Sequence, residues 1–506
     1  MSNSADSEQG LAKRRLLSEL SFGERIAEQE VESLVEYFVE TEQWRKLHSG
    51  AVDIVYGTKG AGKSALYSLL LAREDDLFDR GVFIIAAENP SGTPVFAEIK
   101  VEPPTSEHEF TGLWKLYFIC LIGNELRKYD VNNQGAKDVY SVLEQAKLLP
   151  KKITLKTLLI AVRDYSKRLT DAESVEGGLA IDPVTGLIVG VKGKITFREP
   201  SQELRDAGLM SVDTLLEKVN AALVEEKMTV WILLDRLDVA FDQSDALEYN
   251  ALRALFKAYL DTAPLNNIKL KVFLRTDIWR RITEGGFREA SHITKHLTIT
   301  WERQSLLNLV VRRLLANQPF NARYELDPEV ILASVDEQER LIKRIMPDQV
   351  DTGKNPPTFD WMLTRTQDGT KKTAPRELIH LLSSLKDEQT RRLELGHAEP
   401  VGDLLFDRTT FKEALKAVSE ERLTKTLYAE SNNLKTYIEK LRGEKTQQAP
   451  ETLARIWGLE DEKARDIADQ LVGVGFFENR GEKRQPIYWV PFLYRDALGM
   501  IQGEAK

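Results

Sequence analysis

Gly57-Thr58-Lys59-Gly60-Ala61-Gly62-Lys63-Ser64 brings three glycines, an ammonium group and a hydroxyl into eight residues. Gly57, Gly60 and Gly62 permit backbone angles that other residues avoid, so successive N–H groups can turn toward one anion. A helix that starts at Lys63 aims its positive end at the same point. Lys63 then reaches the outer phosphates of a polyphosphate, and the Ser64 hydroxyl ligates Mg2+. Thr58, Lys59, Ala61 and Ala65 complete the stretch that would line the anion. An apolar run ends at Tyr56 and an amphipathic one begins at Lys63, which favours this reading over a chance glycine turn.

Such a loop works with a carboxylate at the tip of a neighbouring strand, which holds the cation through water. Val230-Trp231-Ile232-Leu233-Leu234-Asp235 fits that need. Five apolar residues make a strand buried on both faces, and Asp235 falls at the carboxyl edge, where α/β sheets bind ligands. Asp238 is the candidate for polarising an attacking water; a helix cap or a salt bridge to Arg236 is the alternative. Many hydrolysing proteins with this loop carry glutamate where this chain has Arg236, which predicts slow or partner-stimulated hydrolysis.

The elements that must carry these groups follow from periodicity. Residues 21–48 space Ile26, Val31, Leu34, Val35 and Phe38 as one helix. A strand at 51–56, the loop, and a helix from Lys63 follow. Residues 82–88 read as a second buried strand, and 110–128 and 135–170 as helices. Residues 177–197 are rich in glycine and β-formers around Asp182-Pro183, which predicts an inserted hairpin. A helix over 212–226, a strand at 229–234, a helix over 244–262, and strands at 270–276 and 297–301 come next. Helices at 303–346 and 375–395 flank a polar loop at 349–358. The order predicts an α/β protein with a parallel-sheet P-loop core, a helical lid and a C-terminal winged-helix domain. Expected divisions are a mobile N-terminus at 1–20, the core at 21–302, the lid at 303–428 and a winged-helix-like domain at 429–506.

The 506 residues are 42% hydrophobic and 29% charged, a globular balance with material for about two to four domains. No run matches the roughly 18 apolar residues of a membrane helix, and the first residues lack the apolar core of a signal peptide. Cys120 is the single cysteine, so an internal disulfide and a thiolate metal site are excluded. His292 and His296 are four residues apart but have no acidic companion motif, and read as surface residues. The expected location is the cytoplasm. A net charge of −9 gives no global footprint for nucleic acid.

Neither the guanine-reading Asn-Lys-x-Asp nor the Leu-Ser-Gly-Gly-Gln signature of ATP-cassette proteins occurs. The lead-in FGERIAEQE, GTKGAGKSAL, LLDRLD, LKVFLRTD, the segment from Leu297 to Trp301, and TAPRELIHLL ahead of the C-terminal module resemble the bacterial P-loop ATPases near the AAA+/STAND boundary, including KAP-type relatives. The resemblance implies an ATPase with ATP and Mg2+ as cofactors. Arg275 or Thr276 would end the strand beside the acidic one and touch the γ-phosphate or the water as a first sensor. Arg376, just after Pro375 at a helix start, resembles a second sensor; a surface salt bridge to Glu377 or Asp360 is its alternative. Arg288 stands where relatives place a finger for the neighbouring subunit, with Arg253 as a rival. Adenine contacts would fall around Tyr37–Thr41.

The resemblance further implies a nucleotide-driven conformational or oligomerisation switch, a homo-oligomer, acting in bacterial antiphage defence with a separate effector protein. The alternative is a DNA-remodelling or DNA-loading ATPase of AAA+ type, with Lys192 and Lys194 of the hairpin and Arg480, Lys483 and Arg484 of the terminal wing as contacts. DNA is not favoured, because the would-be reading helix carries Glu460, Asp461, Glu462, Asp466 and Asp469 against Lys463 and Arg465. No membrane partner is expected.

Overall fold

Ile54-Val55-Tyr56 is a short bulky run without a polar break, and it forms the strand Ile54–Gly57, buried along its whole length. It lies between two parallel partners: Val55 stands opposite Phe273 on one side and Leu297 on the other. The five-stranded parallel sheet runs in the order Val82–Ala86, Thr229–Leu234, Ile268–Arg275, Ile54–Gly57, His296–Thr298. Parallel strands covered on both faces need apolar residues at successive positions, which is why these segments read as runs and not as alternations. The structure, a computed structural model, describes residues 13–24, 34, 38–87, 107–146, 148–149, 179–181, 188–191, 195–196, 199–206, 209–237, 245–482 and 484–505.

The chain divides into two units. One comprises Glu42–Gly57 and Lys63–Ile299 and holds the sheet. Its longest helix among the described residues, Glu107–Lys128, is buried on every face from residue 110 to 123, so its apolar residues form no stripe. It shares a core with Val212–Glu225 and Asp245–Thr262 through Trp114, Tyr117, Leu216 and Phe256. The Lys115 amine, inside that buried run, lies 2.5 Å from Asp213 and 2.6 Å from Asp261. Leu179–Ile181 pairs antiparallel with Ile188–Val191. No helix among the described residues is long and apolar enough to cross a membrane.

The other unit comprises Met1–Thr41, Thr58–Gly62 and Thr300–Lys506. Helices Arg303–Leu315, Gln318–Tyr324, Val335–Ile345, Thr358–Thr366, Pro375–Glu394 and Arg408–Glu421 surround Leu307, Val310, Phe320, Trp361, Leu381 and Phe411. Arg422–Leu427 continues the last of these as a π-helical turn.

Three expectations are corrected. A mobile segment at 1–20 and a core starting at 21 do not hold for the described part. Residues 13–19 are helical, Leu16, Leu17 and Leu20 are buried, and Phe22 joins the same core as Leu307. Lys13 donates to the carbonyls of Pro400 and Gly402 at 2.6 and 2.7 Å, and Asn317 bonds the backbone of Ser21 in both directions. These few apolar side chains suffice to dock a segment whose composition looks like a tail. The single helix over 21–48 is also interrupted. Residues 38–41 are not helical, the Thr41 N–H bonds the Val39 carbonyl at 2.8 Å in a tight turn, and helix resumes only at Glu42–His48. Lastly, the strands of the terminal wing belong to a four-stranded sheet in the order Glu478–Asn479, Tyr488–Trp489, Lys445–Gln448, Ile501–Glu504. Helices Asn432–Glu439, Pro450–Trp457 and Asp461–Gly473 accompany it.

Candidate phosphate-binding site

In the sheet unit, Gly57 is the last residue of its strand and pairs with Arg275. The helix Lys63–Ala72 starts at the predicted residue. Its first N–H groups have no partner within the helix, as at every helix N-terminus. The Lys63 ammonium donates to the Gly57 carbonyl at 2.9 Å. Ser64 Oγ donates to Asp235 Oδ2 at 2.9 Å, and Asp235 is buried. Asp235 follows the strand Thr229–Leu234, which is not the immediate neighbour of the loop strand. Ile268–Arg275 lies between them, so the expectation of a neighbouring strand is corrected to one strand further. The helix after the loop packs on the intervening strand, with Tyr67 edge-on to Phe273 at 5.8 Å, and Ser64 at its start meets Asp235.

Arg236 adopts the left-handed backbone, φ 53°. For a long L side chain this is a strained conformation, and it sits directly after the buried carboxylate. Nothing in the local sequence signalled it. Asp238 lies outside the described residues, as do Tyr37, Lys192, Lys194 and Lys483.

The intervening strand leads into the two first-sensor candidates, whose surroundings differ. The Arg275 guanidinium grips Asp277 with two bonds, Nε to Oδ1 at 3.0 Å and Nη2 to Oδ2 at 2.7 Å. Burial raises the Asp277 carboxyl, but Arg275, a backbone hydrogen bond and the Arg281 charge together outweigh it and hold it below its ordinary value. Thr276 opens the helix Thr276–Glu284, and its buried Oγ1 has no hydrogen-bond partner. Of the finger candidates, Arg253 donates to the Gly285 carbonyl at 2.6 Å and stacks on Tyr249 at 4.3 Å. Arg288 begins the 3-10 turn Arg288–His292 and is exposed.

The other unit carries the middle of the loop. Gly60 and Gly62 have φ of 79° and 101°, the backbone region the glycines were expected to supply. Trp301 Nε1 donates to the Ala61 carbonyl at 2.8 Å, a contact the sequence did not announce. A Cβ on Gly60 would lie 3.0 Å from Arg376 Cβ and 3.4 Å from Glu377 Oε2. The helix Pro375–Glu394 therefore starts against the loop, with proline at its first position as expected.

Neither salt-bridge alternative for Arg376 is formed. Asp360 binds Arg303, at 2.6 Å, and Glu377 accepts from Arg422 Nη1 at 2.8 Å. The buried Nε of Arg376 has no hydrogen-bond partner. Burial disfavours the charge on Arg422, but Glu377, Tyr494 and Asp368 outweigh it and keep the guanidinium protonated.

In the terminal module the exposed face of Asp461–Gly473 carries the expected carboxylates. Asp469 accepts from Tyr488 at 2.8 Å. Arg480 lies over the Trp489 ring at 3.5 Å and pairs with Glu478 at 2.8 Å, and Arg465 donates to the Arg484 carbonyl at 3.1 Å.

No protein-family model matches the chain, and no curated protein matches it in sequence. Among solved structures, the chain is similar to a Walker-type ATPase of Pyrococcus abyssi at 12% identity, covering 91% of this chain and 95% of the other, with a TM-score of 0.40. It is also similar to the ORC1 protein of Aeropyrum pernix in complex with DNA, at 12% identity, with 90% and 91% covered and a TM-score of 0.34. A third likeness is to the ORC2 protein of Aeropyrum pernix, in ADPNP and ADP complexes, at 10% identity, with 93% of each chain covered and a TM-score of 0.30. These likenesses are distant; the fold itself, an α/β protein built on a five-stranded parallel sheet with the glycine-rich loop after one of its inner strands, stands on the strand order and register.

Proposed function

We propose that the chain binds ATP on residues 57–64, hydrolyses it, and uses the nucleotide as a conformational or oligomerisation switch. The carrying observation is the bond between Ser64 and Asp235, a hydroxyl and a carboxylate 171 residues apart in sequence. Together they form the donor set that suits a small hard cation. Mg2+ bound there would neutralise charge on the phosphate oxygens. Ser64 and Asp235 would hold it, Lys63 would pair with the outer phosphates, and the loop N–H groups would line the chain of anions.

Thr276, with its unpaired hydroxyl, is the better first sensor, and Arg376 the second. Arg288 would serve a neighbouring copy in a homo-oligomer. Asp238 remains the proposed water-polarising group, and Arg236 in the place of a glutamate argues for slow or partner-stimulated turnover. The helices and sheet of 429–506 would form a winged-helix module that works through protein contact. A role in bacterial antiphage defence with a separate effector rests on the resemblance alone. The DNA-remodelling alternative is opposed by the carboxylates on Asp461–Gly473 and by the pairing of Arg480 with Glu478.

The test is phosphate release by the full chain with Mg2+ and ATP, in wild type and Lys63→Ala, alongside particle mass with and without ATP. Turnover that is undiminished in Lys63→Ala would overturn the ATPase reading. Equal masses would remove oligomerisation from the switch. Strong stimulation by DNA would put the alternative first.

A further inference from the structure

The loop carries a second cation, Lys59, at a position whose residue type the glycine pattern leaves open. Its ammonium lies 2.8 Å from Glu430 Oε1, with side-chain exposures of 31% and 22%. Glu430 ends Tyr428–Glu430, directly after the π-helical turn Arg422–Leu427. At the start of that turn, Arg422 donates to Glu377 Oε1. The second oxygen of Glu377 is buried, has no hydrogen-bond partner, and lies beside Gly60. One nine-residue segment, 422–430, thus places or holds two carboxylates against a loop built to receive anions. Turns of this π type carry an extra residue and recur at functional sites.

Charge decides what a polyphosphate does here. It competes with Glu430 for Lys59, and it is repelled by the unpaired oxygen of Glu377. The segment also leads into Asn432–Glu439, the first helix of the terminal module. Arg422 reaches toward Asp368 as well, at 3.8 Å, and Asp368 packs where a Cβ on Gly475 would stand, 3.0 Å from its Oδ2.

We propose that residues 422–430 form an internal counter-anion latch, in which Glu430 holds Lys59 until a nucleoside triphosphate displaces it, freeing the segment and the terminal module that follows. Glu430 and Glu377 act as positioning residues and touch no reacting atom. The inference rests on the phosphate-loop reading and deepens it.

The experiment uses the full chain, ATP titration and amide hydrogen exchange. Glu430→Gln keeps the shape and removes the charge, so it should bind ATP about two- to fivefold tighter than wild type. Glu430→Asp, which keeps the charge, should restore wild-type affinity. In wild type, saturating ATP should raise exchange at 422–430. In Glu430→Gln, exchange there should start high and stay unchanged. A bond that merely supports the fold would lower thermal stability and leave ATP affinity equal or weaker. ATP binding without a change in exchange at 422–430, or equal affinity in Glu430→Gln, would overturn the latch and leave the phosphate loop standing. No ATP binding by either folded protein would take down the loop reading and the latch together.

Discussion

The Ser64 hydroxyl and the Asp235 carboxylate are hydrogen-bonded at 2.9 Å. Asparagine at 235 can still accept that bond, but it loses the charge that would attract a divalent cation. Asp235→Asn should therefore fold normally and still bind ATP in the presence of a chelator. Its Mg2+-dependent turnover should fall at least about 100-fold. Phosphate release with and without Mg2+, with nucleotide binding measured in parallel, checks this. Full activity would mean that the metal is held elsewhere.

Thr276 and Arg275 are adjacent but differ in what already engages them. Arg275 grips Asp277, whereas Thr276 Oγ1 is buried without a partner. Thr276→Val should lower turnover about tenfold with little change in ATP affinity, the pattern of an interaction made in the transition state. Arg275→Ala should mainly loosen the start of the helix Thr276–Glu284, seen as a lower melting temperature. Asp277 adds a sign that can be checked. Its depressed carboxyl contributes stability that is complete above its ordinary value of 3.8 and is lost as pH falls below it. Arg275→Ala should flatten the acid limb of the stability profile.

Arg376 reads as a second sensor and Arg288 or Arg253 as a finger for a neighbouring copy, and the surroundings of the three differ. Arg376 has a buried, unpartnered Nε beside Gly60, so Arg376→Ala should cut turnover about tenfold to 100-fold while the protein stays folded. Arg253 is tied to the Gly285 carbonyl and the Tyr249 ring, so Arg253→Ala should cost stability first. Arg288 is exposed, so Arg288→Ala should affect only turnover that rises with protein concentration. Activity plotted against concentration for the three variants separates these outcomes. An Arg376→Ala enzyme with wild-type turnover would end the second-sensor assignment.

What was legible in the sequence was local. Gly57 to Ser64 is one contiguous pattern, and the strand before Asp235 is five apolar residues in a row. The strand end at Arg275 and the Pro375-Arg376 helix start were visible as local patterns. What the sequence hid was long-range or polar. Lys59 with Glu430, Glu377 with Arg422, and Trp301 with Ala61 join residues whose nearness only the folded chain decides. Lys445-Thr446-Gln447-Gln448 has no apolar alternation, so its strand was missed; its pairing with Tyr488–Trp489 supplies what side-chain pattern does not. The docked segment at 13–20 was missed because Leu16, Leu17 and Leu20 are too few to outweigh a polar composition.

Lys271 is the sharpest such case, since a lysine in a strand is ordinarily an outward residue. It is completely buried, donates to the Val52 carbonyl at 2.6 Å and to Asp53 Oδ1 at 2.9 Å, and lies 4.2 Å from the centre of the Trp231 ring. Tyr259 donates to the other Asp53 oxygen at 3.2 Å. Burial pushes the Lys271 amine below its ordinary value, with Asp53 pulling the other way. Lys271→Met strips Asp53 of its cation inside the protein and should cost about 3–5 kcal/mol. Replacing both charges, as Asp53→Leu with Lys271→Met, removes the desolvation cost along with the attraction, and should fall within about 1–2 kcal/mol of wild type. Urea unfolding of the two variants decides it. If the single variant is as stable as the double one, the pair does not carry the charge interaction that its burial implies.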